Sequence, residues 1–173
     1  LIRASIERAM ADGADIIVTL GGASVGDHDL IRPVLSGLGI ALDFWQIAMR
    51  PGKPLMFGKS GGTFILGLPG NPVSSLVCGQ LFLAPLVSAL SGLPFAQNIR
   101  TALLGLPMRK NDHRQDYVRA QVNAAEDGFR ASPFPTQDSS MLTTLASASG
   151  LIIRPPNAPA ASAGDAVEVL MLR

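Results

Sequence analysis

Residues 15–29 read DIIVTLGGASVGDHD, and this stretch decides the fold class. Its first part, Ile16-Ile17-Val18-Thr19-Leu20, is a short apolar run rich in β-branched side chains and without polar alternation. Such a run is expected of a strand covered on both faces. Residues 21–26 then form a glycine-bearing loop. A helix over 30–38 is expected next, with Pro33 near its start, Asp27 or Asp29 as its cap, and Gly37 and Gly39 at its end. Upstream, residues 1–11 place Ile2, Ile6 and Met10 on one helical face, and Asp12-Gly13 ends that helix. Helix, strand, glycine loop, helix is the rhythm of a parallel α/β sheet. In such sheets ligands bind beyond the carboxyl ends of the strands.

Downstream the pattern predicts a strand over 40–49 and a turn at Arg50-Pro51-Gly52-Lys53-Pro54. Strands over 55–57 and 63–68 follow, joined by a hairpin turn at 59–62. Pro69-Gly70-Asn71-Pro72 opens the longest helix, 73–90. Asn71 suits the N-cap and Pro72 the first helical position, while Pro85 is expected to kink the helix and Gly92 to close it. Beyond residues 92–99 the α/β rhythm gives way to short strands over 99–106, 116–124, 128–132, 150–154 and 166–172. One short helix, 140–148, interrupts them, and Asp127-Gly128 signals a hairpin. We read an α/β domain over 1–95 and a small, mostly antiparallel, barrel-like β domain over 96–173.

The 173 residues are 47% apolar and 16% charged, which excludes intrinsic disorder. The balance of 14 basic against 13 acidic residues gives a net charge of +1, so no general field for nucleic acid or a membrane surface exists, and neither partner is expected. Any charge-driven function must come from a local cluster. No unbroken run of 18 apolar residues is present, so no membrane span is expected. The single cysteine, Cys78, excludes an internal disulfide and any multi-cysteine metal site, and the usage suits a reducing compartment, the cytoplasm. The first residue is leucine, no signal-peptide pattern follows it, and the opening reads as mid-domain. A piece of a longer protein is the expectation.

Several places can carry chemistry. The loop at Gly21, Gly22 and Ser24 is equally an ordinary strand-to-helix turn and a cradle for a phosphate, and its spacing does not match G-x-G-x-x-G. Gly58-Lys59-Ser60 imitates the end of a P-loop, but Lys53 stands where that motif requires glycine, and a hairpin turn is the wrong context. Arg50 and Lys53 sit on a turn stiffened by two prolines, able to hold an oxyanion at small ordering cost or simply to be solvated. Pro69, Gly70, Asn71 and Ser74 form a well-capped helix start that is also competent for anions. Asp29 is either a cap or a ligand for Mg²⁺, which takes one or two protein carboxylates and keeps its waters. Arg114, Asp116 and Arg119 around Tyr117 read as a charged strand edge. Ser140, in Gln137-Asp138-Ser139-Ser140, reads as a helix cap. His28 and His113 have no ligand-like partners, and Cys78 falls in the apolar helix as a core residue.

Taken in order, DIIVTLGGASVGDHD, RPGKP, LPGNPVSS, the RQDYVRA region and QDSSML…SGLI resemble the molybdopterin molybdenumtransferases, the MoeA and gephyrin E-domain family, over the whole chain. The resemblance implies insertion of molybdenum from molybdate into adenylylated molybdopterin, with AMP released and Mg²⁺ assisting. It implies further N-terminal domains, an α/β domain here lacking its first βα unit, and an elongated homodimer in the full-length protein. By position, Gly21, Gly22 and Ser24 match the loop that cradles the pterin phosphate or nucleotide. Asp29 matches the aspartate implicated in Mg²⁺ and metal insertion, and Lys53 the second cation of KPGKP. Ser74 matches the serine after PGNPV, and Arg119 and Ser140 match residues that approach the oxyanion. Arg50 stands where many members have lysine and Leu20 where many have serine. The competing readings are a molybdopterin adenylyltransferase, disfavoured by GGAS in place of GGTG and by the attached β domain, and a non-enzymatic scaffold of the gephyrin type.

Overall fold

The structure is a computed structural model that describes residues 1–22 and 30–172. The chain forms two compact units, one of Leu1–Ile47 with Gly52–Leu90 and the other of Ala48–Pro51 with Ser91–Arg173.

In the first unit, α1 (Ile2–Ala11) buries Ile6 and ends where Gly13 takes a positive φ of 79°. β1 (Ile16–Leu20), α2 (Ile31–Gly37), β2 (Leu42–Phe44), β4 (Met56–Ser60) and β5 (Thr63–Leu68) follow, with the short β3 (Met49–Arg50) lying in the other unit. The strand order is β1-β5-β4-β2. β1 runs parallel to β5, while the β4–β5 hairpin and the β2–β4 pair are antiparallel, so the sheet is mixed. Ile6, Ile31, Leu35, Ile40, Met56 and Ile65 form the core, with Ile17 packed against it, so α1 and α2 cover one face of the sheet.

Two expectations need correction here. β1 is not covered on both faces: it ends the strand order, its only strand partner among the described residues is β5, and Val18 and Leu20 are 39% and 73% exposed. The strand expected over 40–49 is broken into β2 and β3. The register slips between Leu42 and Phe44, and Met49–Arg50 pairs in the other unit's sheet.

The long helix begins as expected. α3 (Pro72–Cys78) leads through a π-helical turn (Gly79–Leu83) into α4 (Ala84–Leu90). The irregularity lies ahead of Pro85: Ala84 N–H donates to Gly79 C=O, five residues back, just before the residue that has no N–H to give. Among the described residues this is the one helix long and apolar enough to cross a membrane by length and composition. It also buries Val73, Val77, Cys78 and Leu81.

The second unit adds β6 (Ile99–Leu104), β7 (Gln115–Ala125), β8 (Gly128–Pro133), α5 (Leu142–Ser147), β9 (Gly150–Arg154) and β10 (Ala166–Met171). The sheet order β3-β7-β8-β6-β10-β9, with β9 pairing back onto β7, closes a five-stranded barrel to which β3 is added in parallel. Its interior is filled by Ala102, Leu104, Ala120, Val122, Ala131, Ile152, Val167 and Val169. Small residues are needed in so narrow a barrel. A Cβ on Gly150 would lie 2.6 Å from Val169 Cγ1 and 2.7 Å from Val122 Cγ2.

Candidate functional site

In the first unit, parallel pairing of β1 and β5 brings two of the sequence candidates together at the carboxyl ends of adjacent strands. Gly21 N–H donates to Leu68 C=O at 3.0 Å. A Cβ on Gly70 would lie 3.3 Å from Gly21 Cα, so the two loops touch backbone to backbone and a side chain at Gly70 would crowd its neighbour, while Gly21 is held to glycine by its φ of +77°. Gly22 has φ +70°, and a Cβ there would meet Ile31 Cγ1 at 2.7 Å. The loop glycines therefore have a packing reason as well as a candidate binding role. At the helix start, Asn71 Oδ1 accepts from Val73 N at 3.2 Å and Ser74 N at 3.5 Å, and Pro72 has no N–H. Ser75 Oγ donates to Pro69 C=O and to Asn71 C=O. The first-turn donors are thus taken internally, and Ser74 itself is buried. What this end offers an anion is the residual helix dipole rather than a row of unmet amides. Lys53 is exposed, and its carbonyl, accepting from Ile47 N at 3.0 Å, closes the turn. Ser24 and Asp29 lie outside the described residues.

Arg50 belongs to the second unit. The register sets it beside Asp116, and its guanidinium donates to Asp116 Oδ2, to Asp112 Oδ2 at 3.3 Å and to Asn111 Oδ1 at 3.4 Å. Asp112 also accepts from Arg114 N and Nη2, both at 2.8 Å. Those Arg114 hydrogen bonds, with Arg50's charge adding to them, hold the Asp112 carboxyl well below the usual carboxylate range.

The charged residues of β7 are not an exposed edge, contrary to expectation. β7 is flanked by β9 and β8, and Asp116 and Arg119 are 8% and 2% exposed. Strand alternation explains the burial of Asp116. Ala120, Val122 and Ile152 fill the barrel, and the same parity carries Val118, Asp116 and Arg154 to its open end. There they line a cavity of about 420 Å³ with Arg50, Arg109 and Lys110. Asp116 and Arg154 face each other across β7 and β9, each buried with one atom unpartnered among the described residues, Oδ1 and Nε respectively. Arg109, Lys110 and Arg154 were not singled out by sequence. The adjacent basic pair was the available signal, whereas Arg154 looks like any strand-end cation.

On the other side of β7, Gln137 Oε1 accepts from Arg119 N at 3.0 Å and Nε at 3.2 Å, and Asp138 C=O accepts from Arg119 Nη1 at 2.8 Å. Burial pulls the Arg119 pKa down, and the charge of Asp138 only partly opposes it. Ser140 does not cap α5, whose N-cap position is Met141. Its N and Oγ donate to Asp138 Oδ1, both at 2.8 Å, and these bonds lower the Asp138 pKa. The structure thus brings Arg119 and Ser140 to one turn through Asp138.

Residues 1–89 match the family described as probable molybdopterin binding domain, and residues 101–172 match the MoeA C-terminal region, domain IV. The chain belongs to the MoeA family. A molybdopterin molybdenumtransferase of Bacillus subtilis is 32% identical over 172 residues, covering 98% of this chain and 40% of the relative. Its Haemophilus influenzae counterpart is 36% identical over 129 residues, 69% of this chain and 32% of the relative. The molybdenum cofactor synthesis protein cinnamon of Drosophila melanogaster is 31% identical over 92% of this chain and 27% of its own length. The crystal structure of a MoeA protein from Pyrococcus horikoshii superposes with a TM-score of 0.78 at 28% identity, covering 99% of this chain and 40% of that one. The chain therefore spans less than half the length of these relatives.

Proposed function

We propose that the chain serves molybdenum cofactor biosynthesis as a molybdopterin molybdenumtransferase, inserting molybdenum from molybdate into adenylylated molybdopterin with release of AMP. The observation that carries this reading is Arg119. It is a buried cation with no carboxylate at ion-pair distance among the described residues, and its contacts are neutral. A charge buried without compensation is costly. An oxyanion at its tip removes that cost, and molybdate is a tetrahedral dianion. Relatives named for this reaction match the chain over both halves, which supports the same reading.

In this reading the first unit takes the pterin nucleotide. Gly21, Gly22 and Ser24 lie along its phosphate, with Pro69, Gly70, Asn71 and Ser74 at the helix start beside them. Lys53 is the exposed cation that neutralises charge during transfer. The second unit takes the oxyanion through Arg119 and through the Ser140 hydroxyl turned from Asp138 to the guest, while Arg50, held by its carboxylates in the cavity on the other side of β7, adds only its charge. Catalysis is electrostatic positioning. No protein nucleophile is needed, and the buried Cys78 thiol, pushed up to about 12, is not a thiolate at neutral pH. Among the described residues no three His, Cys, Asp or Glu side chains converge on a metal site. Mg²⁺ that keeps its waters needs one or two carboxylates, and Asp29 is the one we assign; bound there it would offset phosphate charge. A cytoplasmic homodimer of full-length chains is the form we propose for the enzyme.

The test is molybdate-dependent AMP release from adenylylated molybdopterin in a full-length family background. Lys53→Ala is expected to abolish it. A wild-type rate in that variant removes Lys53 from the mechanism, and no AMP release by the unaltered protein removes the reading itself.

A further inference from the structure

The one side chain that hydrogen-bonds Arg119 among the described residues is neutral, that of Gln137. Gln137 accepts from Arg119 N and Nε, and its amide nitrogen donates to Arg119 C=O at 3.0 Å and to Phe134 C=O at 2.9 Å. The amide therefore pairs with both backbone groups of Arg119 as a neighbouring strand would, and fixes the guanidinium at the same time. The carboxylate whose charge Arg119 feels, that of Asp138, commits its Oδ1 to Ser140. Nη2 is the guanidinium nitrogen without a hydrogen-bond partner among the described residues. Arg119 as a whole is 2% exposed.

A carboxylate at position 137 would accept more strongly from Nε. It would also lose both donated bonds and cancel the charge. The amide gives rigidity without neutralisation. We infer that Gln137 is a positioning residue, holding Arg119 aimed and uncancelled so that Nη2 meets a tetrahedral oxyanion. This rests on the reading of Arg119 under Proposed function.

The experiment compares Arg119→Met, Gln137→Glu and Gln137→Met with the unaltered protein in a full-length background. Molybdate binding is measured by equilibrium dialysis at neutral pH, and stability by the urea midpoint. Gln137→Glu keeps the bonds from Arg119 N and Nε, so its midpoint is expected to lie at or above that of Gln137→Met. Its molybdate affinity is nevertheless expected to fall further than that of Gln137→Met, by about tenfold or more against the unaltered protein, the scale of losing one hydrogen bond to a charged group. A clamp with a purely structural role predicts the reverse order, affinity following the midpoint, and that order overturns the inference. Arg119→Met with undiminished molybdate affinity overturns the reading of Arg119 itself. Arg119→Met weakened, with Gln137→Glu at wild-type affinity, overturns only the role of Gln137.

Discussion

Arg50 shows how little a residue's type says about its use. Read on a proline-stiffened turn, it is a cation waiting for an anion. In the fold it is already met by Asp116 and Asp112, with Asn111 beside them. Its partners come from 61 to 66 residues away, so no local pattern announces them. Its first effect is to fasten β3 to β7 and so fix where the turn begins. Asp112, shared between Arg50 and Arg114, yields a prediction at this scale. Its folded pKa is lowered chiefly by the hydrogen bonds from Arg114, so the folded state binds fewer protons than the unfolded state in acid. The stability it contributes is full above the unfolded carboxylate value of about 3.9 and is lost as pH falls below it toward the lower folded value. Urea midpoints of Asp112→Asn followed from neutral pH into acid should therefore show a shallower acid decline than the unaltered chain. An identical decline would mean that Asp112 is not linked to folding. Asp116 and Arg119 mislead sequence reading for a related reason: a charged strand looks like an edge, and only distant partners bury them, Asp116 at the barrel's open end and Arg119 against Gln137 and Asp138.

At the scale of elements, legibility tracks locality. The helix start at Asn71-Pro72 is fully written in the sequence, because a cap and a proline act within one turn. Asn71 Oδ1 does accept from Val73 N and Ser74 N. Asn71→Ala should cost about 1 kcal/mol, read as a lower urea midpoint, with Asn71→Asp restoring most of it. No change in either variant would mean that the Ser75 hydroxyl bonds suffice to hold this end. The barrel strands are legible too, and β9 (Gly150–Arg154) falls where the pattern sets it. What is not legible depends on distant partners. The break between β2 and β3 exists because Met49–Arg50 has Gln115–Asp116 to pair with. The exposure of Val18 and Leu20 follows from β1 lying last in the strand order. The candidate site divides the same way. The meeting of Gly21 with Gly70 follows from parallel β1–β5 pairing, which the α/β rhythm implies, whereas the barrel-mouth cluster of Arg109, Lys110 and Arg154 requires knowing how the barrel closes.

At the scale of the molecule, a net charge of +1 conceals a local concentration: Arg50, Arg109, Lys110 and Arg154 line one cavity that has Asp116 as its acidic member. The charge-driven function that the overall balance denies is thus available at one place. Among the described residues each unit has a hydrophobic cluster of its own, one including Leu35 and Ile65 and the other Leu104 and Ile152. Each unit also holds its own optical reporter, since the chain has one tryptophan and one tyrosine, Trp45 in the first unit and Tyr117 in the second. Ile152→Ala removes a fully buried side chain from the barrel core and should cost about 2–5 kcal/mol there. If each unit's stability comes from its own cluster, the urea transition followed by Tyr117 absorbance shifts to lower denaturant while Trp45 fluorescence keeps its midpoint. Ile65→Ala should do the opposite, moving the Trp45 transition and sparing that of Tyr117. Equal shifts of both signals in both variants would show that the two units unfold as one cooperative body.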